Sequence, residues 1–212
     1  SDLARAAVAV LFASNGALFA GLLPRYPEIK DQLALSNTAF GLSVSAFSAG
    51  ALVSGLTAGA LLRRFGSARV AVLTSVLVAV FVLAAGVATA PIAFAGALFA
   101  AGAADGVTDV AQNAHGLRVQ RRYGRSIINS LHALWSAGAI TGGLLGAGAI
   151  ALGIPRAAQL AGSGVFFAGK ISQIFRVTST LSPDGRRRTY AVEGQLFFAS
   201  AEEFMAAFDF RE

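Results

Sequence analysis

The chain has 212 residues, of which 55% are hydrophobic and only 13% charged, with a formal net charge of +6. Soluble domains carry charge on about a quarter of their residues, so this composition puts a membrane protein first. The absence of cysteine and the presence of only two histidines exclude a disulfide framework, a thiolate nucleophile and a cysteine zinc site. Positive charge also raises nucleic acid as a partner. The arginines, however, stand at the ends of apolar spans rather than among aromatics on one soluble face, which argues against it. No nucleophile with its base, phosphate loop or metal spacing is present, so neither an enzyme nor a cofactor is expected. A chain that opens on Ser1 and holds one methionine, Met205, reads as a fragment or a processed product.

About 20 apolar residues are needed to cross roughly 30 Å of hydrocarbon, and five stretches reach that order. The first runs from Ala6 to Leu23 and is closed by Pro24 and Pro27. With Arg5 before it, this stretch has the shape of a signal peptide, but the equally apolar spans that follow favour a first membrane helix. At its middle, "FASNGALFAG" places Asn15, whose amide needs a partner in lipid: a solute, or a neighbouring helix. The second and third spans are Phe40 to Leu62 and Val70 to Ala90, and Pro91 divides the third from a fourth, Ile92 to about Val110. A fifth covers Ile127 to Ile154. A weaker sixth, Ala157 to Phe175, holds Lys170 near its end, where it can snorkel to the interface.

Loop charge then predicts an orientation. If the N-terminus is cytoplasmic, that side collects Arg5, Arg63, Arg64, Arg69, Arg118, Arg121, Arg122 and Arg125, against Arg25, Lys30 and Arg156 opposite. Eight basic residues against three place the N-terminus inside a bacterial inner membrane, and a sixth crossing returns the basic tail to the same side. Small residues at four-residue spacing, namely Gly55 and Gly59, Gly102 and Gly106, and Gly138, Gly142 and Gly146, predict close helix contacts in lipid.

Chemistry concentrates in the fourth span, "AGAADGVTDVAQNAHG", where Asp105, Asp109, Gln112 and Asn113 share one side of a helix. Ionisable groups at membrane depth are costly and mark proton or solute pathways; the competing reading ends the span earlier and leaves these residues in the interface. In "NSLHALWSAG", His132 and Trp135 are one turn apart, either as a proton-linked switch beside a stacking surface or as an interfacial pair.

The segment "GALLRRFGSARV" resembles the connection between the second and third helices of the major facilitator superfamily, with Gly59, Arg64, Gly66 and Arg69 in matching places. Arg63 stands where that pattern usually has an acidic residue, so the family's gating salt bridge is not carried over. "NGALFAGLLPRYPEIKDQLALSNTAFGL", "DVAQNAHGLRVQRRYGR" and "LHALWSAGAITGG" are similar to the bacterial branch related to fucose permeases, over about residues 3–160. The resemblance implies a proton-linked secondary transporter that handles a small organic solute between two six-helix halves, with coupling acids in the first and fourth helices. Here the fourth helix offers Asp105 and Asp109, and the first offers Asn15 without an acid. "GAITGGLLGAG" lacks the proline of the antiporter pattern in the fifth helix.

The tail differs. It holds a β-rich run, the turn signal Pro183-Asp184-Gly185, a second run from Arg188 to Phe198, and Ser200 with Glu203 as a capping box for a helix bearing Phe204 and Phe208. "VFFAGKISQIFRVTS" and "YAVEGQLFFASAEEFMAAFDF" resemble the last membrane helix and the start of the STAS domain in sulfate-permease-like proteins, without that domain's later strands. The expected architecture is thus an all-α polytopic membrane protein, a six-helix half of a major-facilitator-type bundle, with a short, incomplete α/β segment. Its divisions are a membrane domain over 1–160, a sixth helix and junction over 161–176, and a STAS-like piece over 177–212. A composite of two transporters fits this pattern. The expected partners are the bilayer, a solute and protons, with a second half or second copy completing the cavity; an anion transporter fragment and a non-transporting chain are the alternatives.

Overall fold

A computed structural model describes residues 2–172, 175–181 and 188–194. Among these residues, seven α-helices precede an antiparallel strand pair: α1 (Asp2–Ala20), α2 (Tyr26–Gln32), α3 (Asn37–Phe65), α4 (Ser67–Gly86), α5 (Pro91–Tyr123), α6 (Ile128–Ala151) and α7 (Arg156–Ser172), then β1 (Phe175–Leu181) and β2 (Arg188–Gly194). Five helical stretches among the described residues are long and apolar enough to cross a membrane: Ala4–Gln32, Asn37–Phe65, Ser67–Gly86, Pro91–Tyr123 and Ile128–Ala151.

The helix ends follow local chemistry and correct several expected bounds. α1 stops at Ala20, and Pro24 and Pro27 open the pieces that follow, a 3-10 turn (Leu23–Arg25) and α2. Proline's missing N–H costs nothing in a first turn, where that donor is unpaired anyway. α5 continues well past Val110 to Tyr123, because nothing in "AQNAHGLRVQRRY" breaks a helix until Gly124 adopts φ +71° as its left-handed cap. The sixth span ends at Ser172, so Phe175 begins a strand rather than closing a helix. Gln120 on α5 reaches across the turn and accepts from the N–H groups of Ile127 (2.9 Å) and Ile128 (3.1 Å), supplying α6 with the cap its own sequence lacks.

Glycine seams hold the bundle together. A Cβ on Gly102 would run into the Phe47 carbonyl, one on Gly50 into that of Phe99, and one on Gly106 would stand 2.5 Å from that of Ala51, so α3 and α5 pack backbone to backbone. Gly138 and Gly142 meet the carbonyls of Ala13 and Ala17 in the same way, and Gly16 meets that of Trp135, which joins α1 to α6. Contact positions rise together along each pair, so both seams are parallel, as alternating crossings require. The predicted pair Gly55 and Gly59 forms no such seam: Gly55 has nothing within 4 Å and Gly59 only the Arg63 side chain.

Larger apolar groups fill the remaining space. Leu18, Leu22, Ile29, Val78, Val82, Phe94, Leu98 and Leu160 form the largest buried cluster, capped by Tyr26 edge-on to Phe40 and Phe40 stacked on Phe94. Meanwhile Leu52, Leu56, Ile140 and Leu144 stand exposed, with Leu56 at 85%, a pattern suited to hydrocarbon rather than water. In the tail β1 and β2 pair antiparallel, with Phe175 opposite Gly194 and Leu181 opposite Arg188. The Pro183-Asp184-Gly185 turn and the Ser200–Glu203 capping box lie outside the described residues, as do Phe197, Phe198, Phe204 and Phe208.

Candidate functional site

The predicted polar residues converge from three helices. Asn15, on α1 and only 2% exposed, lies beside the Asp105 carboxyl on α5. Asp109 follows one turn along α5, exposed on the bundle surface. Its Oδ1 accepts from Asn113 Nδ2 at 3.0 Å, with Gln112 Nε2 at 3.5 Å. His132 on α6 then closes the line, its Nε2 lying 3.1 Å from Asn113 Oδ1. That oxygen can only accept, so Nε2 is the protonated ring nitrogen in this arrangement. Phe12 on α1 packs edge-on against the imidazole, with centroids 5.4 Å apart.

These contacts connect Asn15 to Asp105 and Asp109 to His132 along one face, in a bundle whose remaining faces are mostly apolar. Two buried acceptors, Asn15 Oδ1 and Gln112 Oε1, have no partner among the described residues and are free to take a donor. Gln112 is turned inward at 1% exposure, whereas Asp109 and His132 face outward. Trp135 is not part of the line. It packs against the cluster that holds Val8 and Phe12 at the α1–α6 seam.

The connection between α3 and α4 is a separate feature. Gly66 takes φ +83° with ψ 145°, a conformation open in practice to glycine alone. Replacing Gly66 with alanine is expected to cost about 1–3 kcal/mol, read as a fall in the thermal midpoint of the detergent-solubilised chain. Gly59, Arg64 and Arg69 are exposed, and Arg64 lies over the Phe65 ring at 5.3 Å. The ion pairs among the described residues are Arg25–Glu28 and Arg156–Glu28, both at the other end of the bundle.

Arg25 and Arg156, which sequence reasoning counted only as loop charge, belong to the densest polar cluster among the described residues. Arg25, Glu28, Gln32, Arg156 and Gln159 meet where α1, α2 and α7 come together. The one sequence signal was an arginine three residues before a glutamate.

Parallel small-residue seams, membrane-length helices and a polar line across α1, α5 and α6 define a polytopic membrane protein. The sequence model of the Major Facilitator Superfamily matches residues 8–207, and the chain belongs to that family. It is 33% identical over 135 residues to the uncharacterized transporter y4wD of Sinorhizobium fredii, covering 64% of this chain and 36% of that protein. To an uncharacterized MFS-type transporter of Yersinia pestis it is 28% identical over 127 residues, covering 60% and 32% respectively. The chain thus spans about a third of the length of the curated relatives it matches, and it is an integral membrane protein.

Proposed function

We propose that this chain forms one wall of a secondary transporter for a small organic solute, coupled to protons through the α5 carboxylates. The observation that carries the reading is the polar line itself. Asn15, Asp105, Asp109, Asn113 and His132 are expensive to place in hydrocarbon, and such groups persist where they face a wet pathway. The buried acceptors Asn15 Oδ1 and Gln112 Oε1 stand unpaired beside that line. Asp109, exposed yet held by Asn113 and Gln112, is placed to take up and release a proton. Alternating access needs a second wall opposite this one, from further chain, a second copy or a separate subunit. In a bacterial inner membrane the arginine-rich end faces the cytoplasm, which puts the N-terminus inside and Arg25 outside.

The likeness to fucose permeases favours a sugar-like solute. The tail supports a second reading, a sulfate-permease-like anion transporter: the β1–β2 pair and the resemblance of its sequence to a STAS opening favour it. Beside it stands the family match, which runs through the same segment to residue 207. Uptake into vesicles with an imposed pH gradient separates the two. Accumulation of monosaccharides or polyols supports the first reading, and accumulation of sulfate, bicarbonate or dicarboxylates the second. No gradient-dependent uptake of either group by a membrane-inserted, paired assembly would leave a non-transporting chain.

A further inference from the structure

The densest polar cluster lies away from the proposed pathway. Arg25 is 5% exposed, and each of its guanidinium nitrogens is partnered. Nε donates to Gln159 Oε1 at 2.9 Å, Nη1 to Glu28 Oε2 at 3.1 Å, and Nη2 to the Ile154 carbonyl at 2.7 Å. Gln159 in turn donates to the Gly21 carbonyl at 3.1 Å, just past the end of α1. Glu28 Oε1 also lies 3.1 Å from Arg156 Nη1, an ion pair without an aligned hydrogen bond, and Arg156 Nη2 donates to Gln32 at 2.6 Å. Carbonyls at the end of a helix have no partner within it. Here the end of α1 is capped from α7, and the link between α6 and α7 is capped from the 3-10 turn. α7 is itself anchored on α4, where Leu160 fills the space beside Gly86.

This arrangement answers a need set by the α1–α6 seam. At its inner end the α1–α6 seam is held by large side chains, with Val8, Phe12, Leu131 and Trp135 in one cluster, but from Ala13 to Gly21 it runs backbone to backbone on Gly138, Gly142 and Gly146, which offer little to resist sliding along the helix axis. Along that outer stretch register depends on directional contacts beyond it. At one end α1 is tied by an exposed, long contact, Arg5 Nη1 to Tyr123 at 3.4 Å. At the other stands the buried, directional cluster around Arg25.

We infer that Arg25 is a positioning residue for the proposed pathway: by clasping the outer end of α1 to α7, it sets the register of α1 on α6 and so holds Asn15 against Asp105. The inference rests on the reading of Asn15 and Asp105 as pathway residues, but its test needs no solute. Trp135 is the only tryptophan, and its carbonyl lies against Gly16, the neighbour of Asn15, so its fluorescence reports the seam at that level.

In the detergent-solubilised chain, Arg25→Gln is expected to raise acrylamide quenching of Trp135 about twofold and to shift its emission to the red, as a segment loosened from its partner gains solvent. Arg25→Lys, which keeps the charge but not the three-way fork, is expected to fall between. Lys30→Gln should leave the signal unchanged. If Arg25→Gln does not yield folded protein, Gln159→Leu cuts the α1–α7 arm while sparing the Arg25–Glu28 pair, and the same shift is expected. Unchanged Trp135 quenching in the folded variant would overturn the inference. Normal gradient-driven uptake by Asp105→Asn would instead overturn the pathway reading and leave the fluorescence result standing.

Discussion

Replacing Asp109 with asparagine is expected to abolish proton-driven uptake by the assembled transporter while leaving solute exchange partly intact. The carboxamide has nearly the shape of the carboxyl, and its oxygen still accepts from Asn113 Nδ2, so the line from α5 to His132 survives. What disappears is the group able to carry a proton at that position. Uptake against a gradient should fall by about two orders of magnitude, the scale on which a positioned proton carrier acts. Exchange needs no net proton movement and should persist. Uptake unchanged across the pH range would reject Asp109 as the coupling carboxyl.

The second large effect belongs to the seams. Gly142→Leu drives a side chain into the Ala17 carbonyl on α1, and Gly102→Leu drives one into that of Phe47 on α3. Backbone cannot step aside as a flexible side chain does, so each change should cost about 3 kcal/mol, the upper part of the usual overpacking range. Gly55→Leu is the matched control, because nothing lies within 4 Å of that position, and its cost should be under about 1 kcal/mol. Thermal denaturation of the three variants in the same detergent gives the comparison. A Gly55→Leu loss as large as that of Gly142→Leu would show that glycine content, rather than the seam, sets stability.

These contrasts show what was legible in the sequence. Spacing alone pointed to Gly102, Gly106, Gly138, Gly142 and Gly146 as contact points, because four-residue repeats of small side chains make a smooth helix face. Spacing could not say which helix lies opposite, and so it gave Gly55 and Gly59 the same weight although Gly55 faces open space here and Gly59 only the Arg63 side chain. The far end of α5 was missed for a related reason: hydropathy measures the apolar stretch, whereas the helix continues through Arg118, Arg121 and Arg122 until Gly124 ends it. Helical periodicity put Asp105, Asp109, Gln112 and Asn113 on one side of α5; Asn113 and Gln112 reach the Asp109 carboxyl, while Gln112 is buried and Asp109 exposed. The link from Asn15 to Asp105 and that from Asn113 to His132 are tertiary contacts that no local pattern contains. Arg25 is the extreme case: its partners Ile154 and Gln159 come from the far side of the chain, so a buried, fully partnered arginine looked like ordinary loop charge.

The central claim is that the polar face of α1, α5 and α6 meets water rather than lipid. Because the chain has no cysteine, a single introduced thiol reports its own surroundings. His132→Cys and Asn113→Cys, reconstituted in vesicles, should react with a small hydrophilic thiol reagent at least about tenfold faster than Leu56→Cys on the apolar face, since the reactive thiolate needs water. Equal protection of all three positions would place the polar line in a dry environment and contradict the account.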